Sequence, residues 1–136
     1  MADNRFSVSV HILTLLASAD SELVSSQYIA GSININPAVV RKELINLRKH
    51  KFITTREGKN GGSALSKPAE RILLSDIYLS VRSKDFLGKS IINGNPACKV
   101  GRQINKRLKS LYGDAERAML LQLGKKTLKQ FSAEFR

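Results

Sequence analysis

One cysteine, Cys98, stands in the whole chain, so no disulfide can close within it and a small secreted framework is excluded. Two histidines, His11 and His50, lie far apart and lack thiols or carboxylates at ligand spacing, so no metal site is expected. No apolar run approaches the length that spans a bilayer. Met1 to Ser9 lacks the basic stretch and apolar core that mark export, and the expected compartment is the cytoplasm. No Ser/His/Asp or Cys/His grouping, phosphate loop or dinucleotide fingerprint occurs, and Asp114 and Glu116 sit amid Lys109 and Arg117 as surface ion pairs. The chain therefore reads as a non-enzyme without a cofactor. Acids are scarce as well, 11 against 23 Lys and Arg. The resulting charge of +12 favours a polyanion, nucleic acid first and an anionic membrane surface second.

What is present in the 136 residues suits one compact unit with an appendage, residues 1–81 forming a head, 82–98 a connector and 99–136 a long helix with a short one behind it. Phe6, Val10, Leu13, Leu16 and Ala17 recur at helical spacing from Arg5 to Ala19. Ser25 is placed to cap a short helix ending near Gly31 to Ile33, and Asn34-Ile35-Asn36 makes a turn. Asn36 can cap the next helix, with Pro37 at its first position, where a missing N–H costs nothing and φ is already helical. That helix should run to about His50. Phe52 to Arg56, the glycine-bearing loop and Ala64 to Ser66 read as a hairpin closed by Pro68, and Ile72 to Val81 as a helix with Asp76 near its start. Arg82 to Pro96 has no sustained period and reads as a connector. Beyond it, Val100, Ile104, Leu108, Leu111, Ala115 and Ala118 recur at steps of four and three, predicting a long amphipathic helix started by Asn95-Pro96 and ended by Gly124 in a left-handed cap. Leu128 to Phe131 should fold back.

Helix, turn, basic helix and glycine wing, in this order, are the parts of a winged helix-turn-helix, so the expected fold is mainly α with a small β-hairpin. With Val40, Leu44 and Leu47 turned inward, Asn36, Pro37, Ala38, Arg41, Lys42 and then Ile45 or Asn46 face out. Arg41 and Lys42 suit guanine O6 and N7, and Ala38 suits a thymine methyl. Arg48, Lys49 and Lys51 suit phosphate. Ser25, Ser26 and Gln27 open the preceding helix, where free N–H groups suit a phosphate oxygen. Arg56, Lys59 and Asn60 belong to the wing, whose glycines allow the turn. Arg41 to Lys67 holds eight Lys and Arg against Glu43 and Glu57 alone. A solvated charged face explains such a run when it stands alone; within this order of elements it is better read as a DNA-binding surface.

The segments Ser25-Ser26-Gln27-Tyr28-Ile29-Ala30, Ile35-Asn36-Pro37, Val40-Arg41-Lys42, Arg56-Glu57-Gly58-Lys59-Asn60-Gly61-Gly62 and Leu74-Ser75-Asp76-Ile77-Tyr78 resemble the Rrf2 family of bacterial transcription regulators. Asn95 to Gly101 looks most like its YwnA-type branch. The resemblance implies a homodimer of two winged heads, joined through a long carboxy-terminal helix, that binds a near-palindromic operator and usually represses. Some members hold an iron–sulfur cluster on three connector cysteines and a further ligand; this sequence has Cys98 alone, so no cluster is expected. Ser63 also replaces the aromatic residue common after the double glycine.

Two readings stand for Cys98, a redox-sensing thiol in the first turn of the long helix beside Lys99 and Arg102, or a small buried apolar residue. The apolar stripe of the long helix exceeds what the head needs for its own core, so Ile104, Leu108, Leu111, Ala115 and Ala118 are the expected dimer contacts, with Leu108 and Leu111 central. The rival is that the helix folds back on its own head. Two rivals to specific regulation remain: an architectural nucleic-acid binder without sequence preference, and a peripheral membrane protein using the basic helix. The stripe's lack of Trp and Phe makes the membrane reading the weaker. Nothing in the sequence names a small-molecule effector.

Overall fold

Hydrophobic burial organises the head around α1 (Arg5–Ser18), whose Val8, Val10, Ile12, Leu13 and Leu16 are buried. A helix apolar on most sides belongs at the centre of a core. The computed structural model describes residues 3–83, 87 and 94–135; within these, α1 packs on the other helices of the head, on the second strand of the hairpin and on the last helix described. Phe6 and Ala17, expected inside, lie half-buried against this core.

Local chemistry sets the other boundaries. Ser25 Oγ accepts the Tyr28 N–H at 3.1 Å and starts α2 (Ser26–Ile33); Asn34, left-handed at φ 64°, ends it. Asn36 Oδ1 accepts the Ala38 N–H at 2.8 Å and starts α3 (Pro37–Lys49). Val40, Leu44 and Leu47 of α3 are buried as expected. Antiparallel β1 (Ile53–Arg56) and β2 (Gly62–Leu65) pair in the register Ile53 with Leu65 and Arg56 with Gly62. A short 3-10 turn at Ala69–Arg71 leads to α4 (Leu74–Val81), where the Asp76 carboxylate accepts the Leu73 N–H at 3.0 Å.

The long helix α5 (Lys99–Leu123) starts later than expected. Asn95 Oδ1 is taken by the Ala97 N–H at 2.9 Å, which makes a turn, and Cys98 becomes the capping residue. Gly124 ends α5 in a right-handed conformation (φ −70°, ψ −10°), not the left-handed one expected. The Lys125 and Lys126 N–H groups bond back to Gln122 and Leu123, so the last carbonyls are satisfied without that reversal. α6 (Leu128–Ser132) folds back as expected and sends Leu128, fully buried, into the core of the head. Most of the expected connector, 84–86 and 88–93, lies outside the described residues.

Candidate nucleic-acid interface

Three elements converge on one basic cleft. The start of α2, the outward stripe of α3 and the hairpin enclose about 460 Å³, lined by Ser25, Ser26 and Gln27, by Arg41, Ile45 and Arg48, and by Thr55, Arg56 and Glu57. Six of the sequence-selected positions (Ser25, Ser26, Gln27, Arg41, Arg48 and Arg56) thus share one concavity. Asn36, Pro37, Ala38 and Lys42 are exposed at and just after the start of α3, Lys49 at its end, and Lys59 and Asn60 at the hairpin tip, outside the cleft walls. Of the two alternatives for the next outward position, Asn46 is turned aside: its Nδ2 donates to the Ser80 carbonyl at 3.1 Å and ties α3 to α4. Ile45 takes the outward position instead, 61% exposed.

The orientation of α3 depends on an ion pair. Glu43, 3% exposed on the inward side of α3, accepts from Arg5 Nε at 2.8 Å and from Ser9 Oγ at 3.4 Å, both on α1. The charge is compensated where it is buried, and α3 cannot roll on α1 without breaking the pair. In the sequence Glu43 stands as one acid in a basic run. Its position three residues from Val40 and four from Leu47, on the apolar side, was the available signal.

The hairpin is anchored by backbone. Val24 and Ser63 exchange N–H···O bonds of 2.9 Å in both directions, and a Cβ on Gly62 would lie 2.6 Å from the Val24 carbonyl oxygen. Ser63, 1% exposed, shares a 3.2 Å hydroxyl contact with Thr55 across the strands. Gly58, at φ +89°, makes the turn that presents Lys59 and Asn60.

α5 rests on the head through a staple to α4 and, near its end, through Leu123, half-buried against the core. Glu116 accepts from the Tyr78 hydroxyl at 3.0 Å and pairs with Arg82. Desolvation, reinforced by the hydrogen bond to Glu116, pushes the Tyr78 phenol up to about 12. No residue of α5 is fully buried: Val100 is 66% and Leu111 59% exposed, and Leu108 and Ala115 are half-buried. Asp114 pairs with Arg117 on the surface. His11 meets Ser32 Oγ at 3.0 Å, and the His50 ring meets the Asn46 carbonyl at 2.9 Å.

Cys98 is exposed in the single chain, and its Sγ accepts the Gly101 N–H at 3.4 Å. Among the described residues no helix is long and apolar enough to cross a membrane.

Residues 2–134 match the model of the Rrf2 family, described as an iron-dependent transcriptional regulator. The chain is 37% identical over 129 residues to a candidate HTH-type transcriptional regulator, YwnA of Bacillus subtilis (strain 168), covering 95% of each protein. It is similar to the crystal structure of a candidate DNA-binding protein (TM-score 0.74, 34% identity, 93% of this chain and 97% of that one). A candidate transcriptional regulator from Lactobacillus plantarum superimposes with a TM-score of 0.78 at 29% identity, over 97% of this chain and 89% of that one. The residues present do not fit an iron–sulfur centre. One thiol per chain is too few for the thiolate ligands such clusters use, and no three His, Cys, Asp or Glu gather among the described residues.

Proposed function

This chain belongs to the Rrf2 family of transcriptional regulators, and on that premise we propose that it works as a homodimer whose two winged heads bind a near-palindromic operator and repress. α3 enters the major groove with Arg41 and Lys42 donating to bases and Ala38 close to the edge of a thymine. Arg48, Lys49 and the opening N–H groups of α2 behind Ser25 hold phosphates, while Arg56, Lys59 and Asn60 reach the backbone beside the groove. The observation that carries this reading is the shared cleft, in which arginines of α3 and of the wing flank the start of α2. A surface of this kind binds and positions a polyanion, and its role is recognition, not catalysis.

The apolar stripe of α5, exposed at Ile104, Leu111 and Ala118 and half-buried at Leu108 and Ala115, supports dimerisation through these five residues. Pairing two such helices covers apolar surface and sets a constant distance between the two recognition helices, as a two-fold site requires. Exposed Cys98 at the cap of the same helix supports thiol-dependent control of that spacing.

Selection from genomic fragments at physiological salt, followed by titration of the winning duplex against a scrambled one, tests the proposal. A two-fold site bound roughly a thousandfold more tightly is the expected result. Equal affinity for both duplexes would favour an architectural binder and make Arg41 and Lys42 phosphate contacts.

A further inference from the structure

Among the described residues, Ile45 is the one exposed large hydrophobic side chain that lines the basic cleft; Leu44 beside it is buried, and Leu23, Tyr28, Val39 and Leu79 are exposed elsewhere on the head. A single exposed isoleucine is ordinarily unremarkable. This one occupies the middle of the Arg41, Ile45, Arg48 stripe, whose spacing of four and three places all three on one side of α3 facing the cleft. Water solvates an aliphatic group poorly beside two guanidinium groups, and a partner that satisfies the arginines brings its own surface against Ile45.

We infer that Ile45 is a specificity-determining residue that reads the C5-methyl group of one thymine in each half-site. This deepens the reading of α3 as the recognition helix and rests on it. The thymine methyl is the one apolar group on the major-groove edges of the four base pairs. Along the helix axis Ile45 lies about 6 Å from Arg41, at 1.5 Å per residue. With base pairs about 3.4 Å apart, its thymine falls within roughly two steps of the base that Arg41 contacts. Ile45 favours T·A by burying the methyl and disfavours a cytosine, which carries only a hydrogen at C5 and a hydrogen-bonding amino group at C4 beside it.

The test replaces thymine by deoxyuridine, which removes the methyl and leaves the hydrogen-bonding edge unchanged. A duplex is first selected from a random library with the parent protein. Each thymine of the winner is then exchanged singly and the set titrated with the parent and with Ile45→Ala. Because Ile45 is 61% exposed, the variant keeps its core, and its circular dichroism should match the parent's. At one thymine per half-site, uracil should weaken the parent roughly three- to fivefold, the effect of about one buried methyl, and leave Ile45→Ala unaffected. Parallel losses for both proteins at every thymine, or a winning site with no thymine near the Arg41 contact, would overturn the inference while leaving the recognition helix intact. Selection that returns no preferred duplex would overturn both.

Discussion

Arg41 and Lys49 stand on the same helix, yet they should fail in different ways. Arg41→Ala removes a bidentate donor at the cleft, so affinity for the selected duplex should fall by about 1–3 kcal/mol and the preference at one base pair should relax. Lys49→Ala, at the exposed end of α3, should weaken all duplexes alike and lower the salt slope by about one. Titrating both variants on matched and mismatched duplexes at two salt concentrations checks this. Glu43→Ala strands Arg5, but that guanidinium is 35% exposed and can turn to water. The expected cost is therefore modest for a buried pair, about 2 kcal/mol by urea denaturation. DNA affinity should fall further than stability alone accounts for, because α3 loses its orientation. Most contact candidates could be read from the sequence, since outward position on a helix follows from spacing alone. Asn46 could not, because its partner, the Ser80 carbonyl, is 34 residues away in the chain.

Elements are held by contacts that a single substitution can test. A Cβ at Gly62 meets the Val24 backbone at less than 3 Å, so Gly62→Ala should detach the hairpin from Val24. Amide exchange should then show lost protection at Val24 and Ser63 with α1 still protected, and affinity for DNA should fall. The staple between α4 and α5 gives a pH signature. Tyr78 titrates at about 12 when folded against an ordinary 10.0, so the folded protein holds this proton more tightly. The associated stability is complete below about pH 10 and is lost as pH rises toward 12. Tyr78→Phe should flatten that part of the stability profile. The caps at Ser25 and Asn36 were legible because they are local. The late start of α5 at Cys98 was not, because Asn95 spends its side chain on its own turn.

At the scale of the whole molecule the decisive surface is the stripe of α5. Leu111→Asp places a charge where the paired helices would meet, and sedimentation should show a monomer where the parent sediments as a dimer. Operator affinity should fall at least roughly a hundredfold with head stability little changed, because the two heads then bind separately and lose their high effective concentration. Each head keeps its own core: α6 returns Leu128 to it from beyond α5. The end of the chain therefore helps to build the DNA-binding unit as well as the helix that extends from it, which periodicity could not show.

The sequence by itself determined the helices, the caps at Ser25 and Asn36, the glycine turn, the basic surplus and the apolar stripe, because each depends on residues within a few positions of one another. Only the tertiary structure decided that Glu43 is a buried strut to Arg5, that Ser63 is the small residue under which the wing docks on Val24, and that Ile45 faces the cleft while Asn46 turns away. Those outcomes depend on which distant segments meet when the core closes. A one-dimensional pattern of spacing carries the direction of a side chain but not the identity of the neighbour it finds.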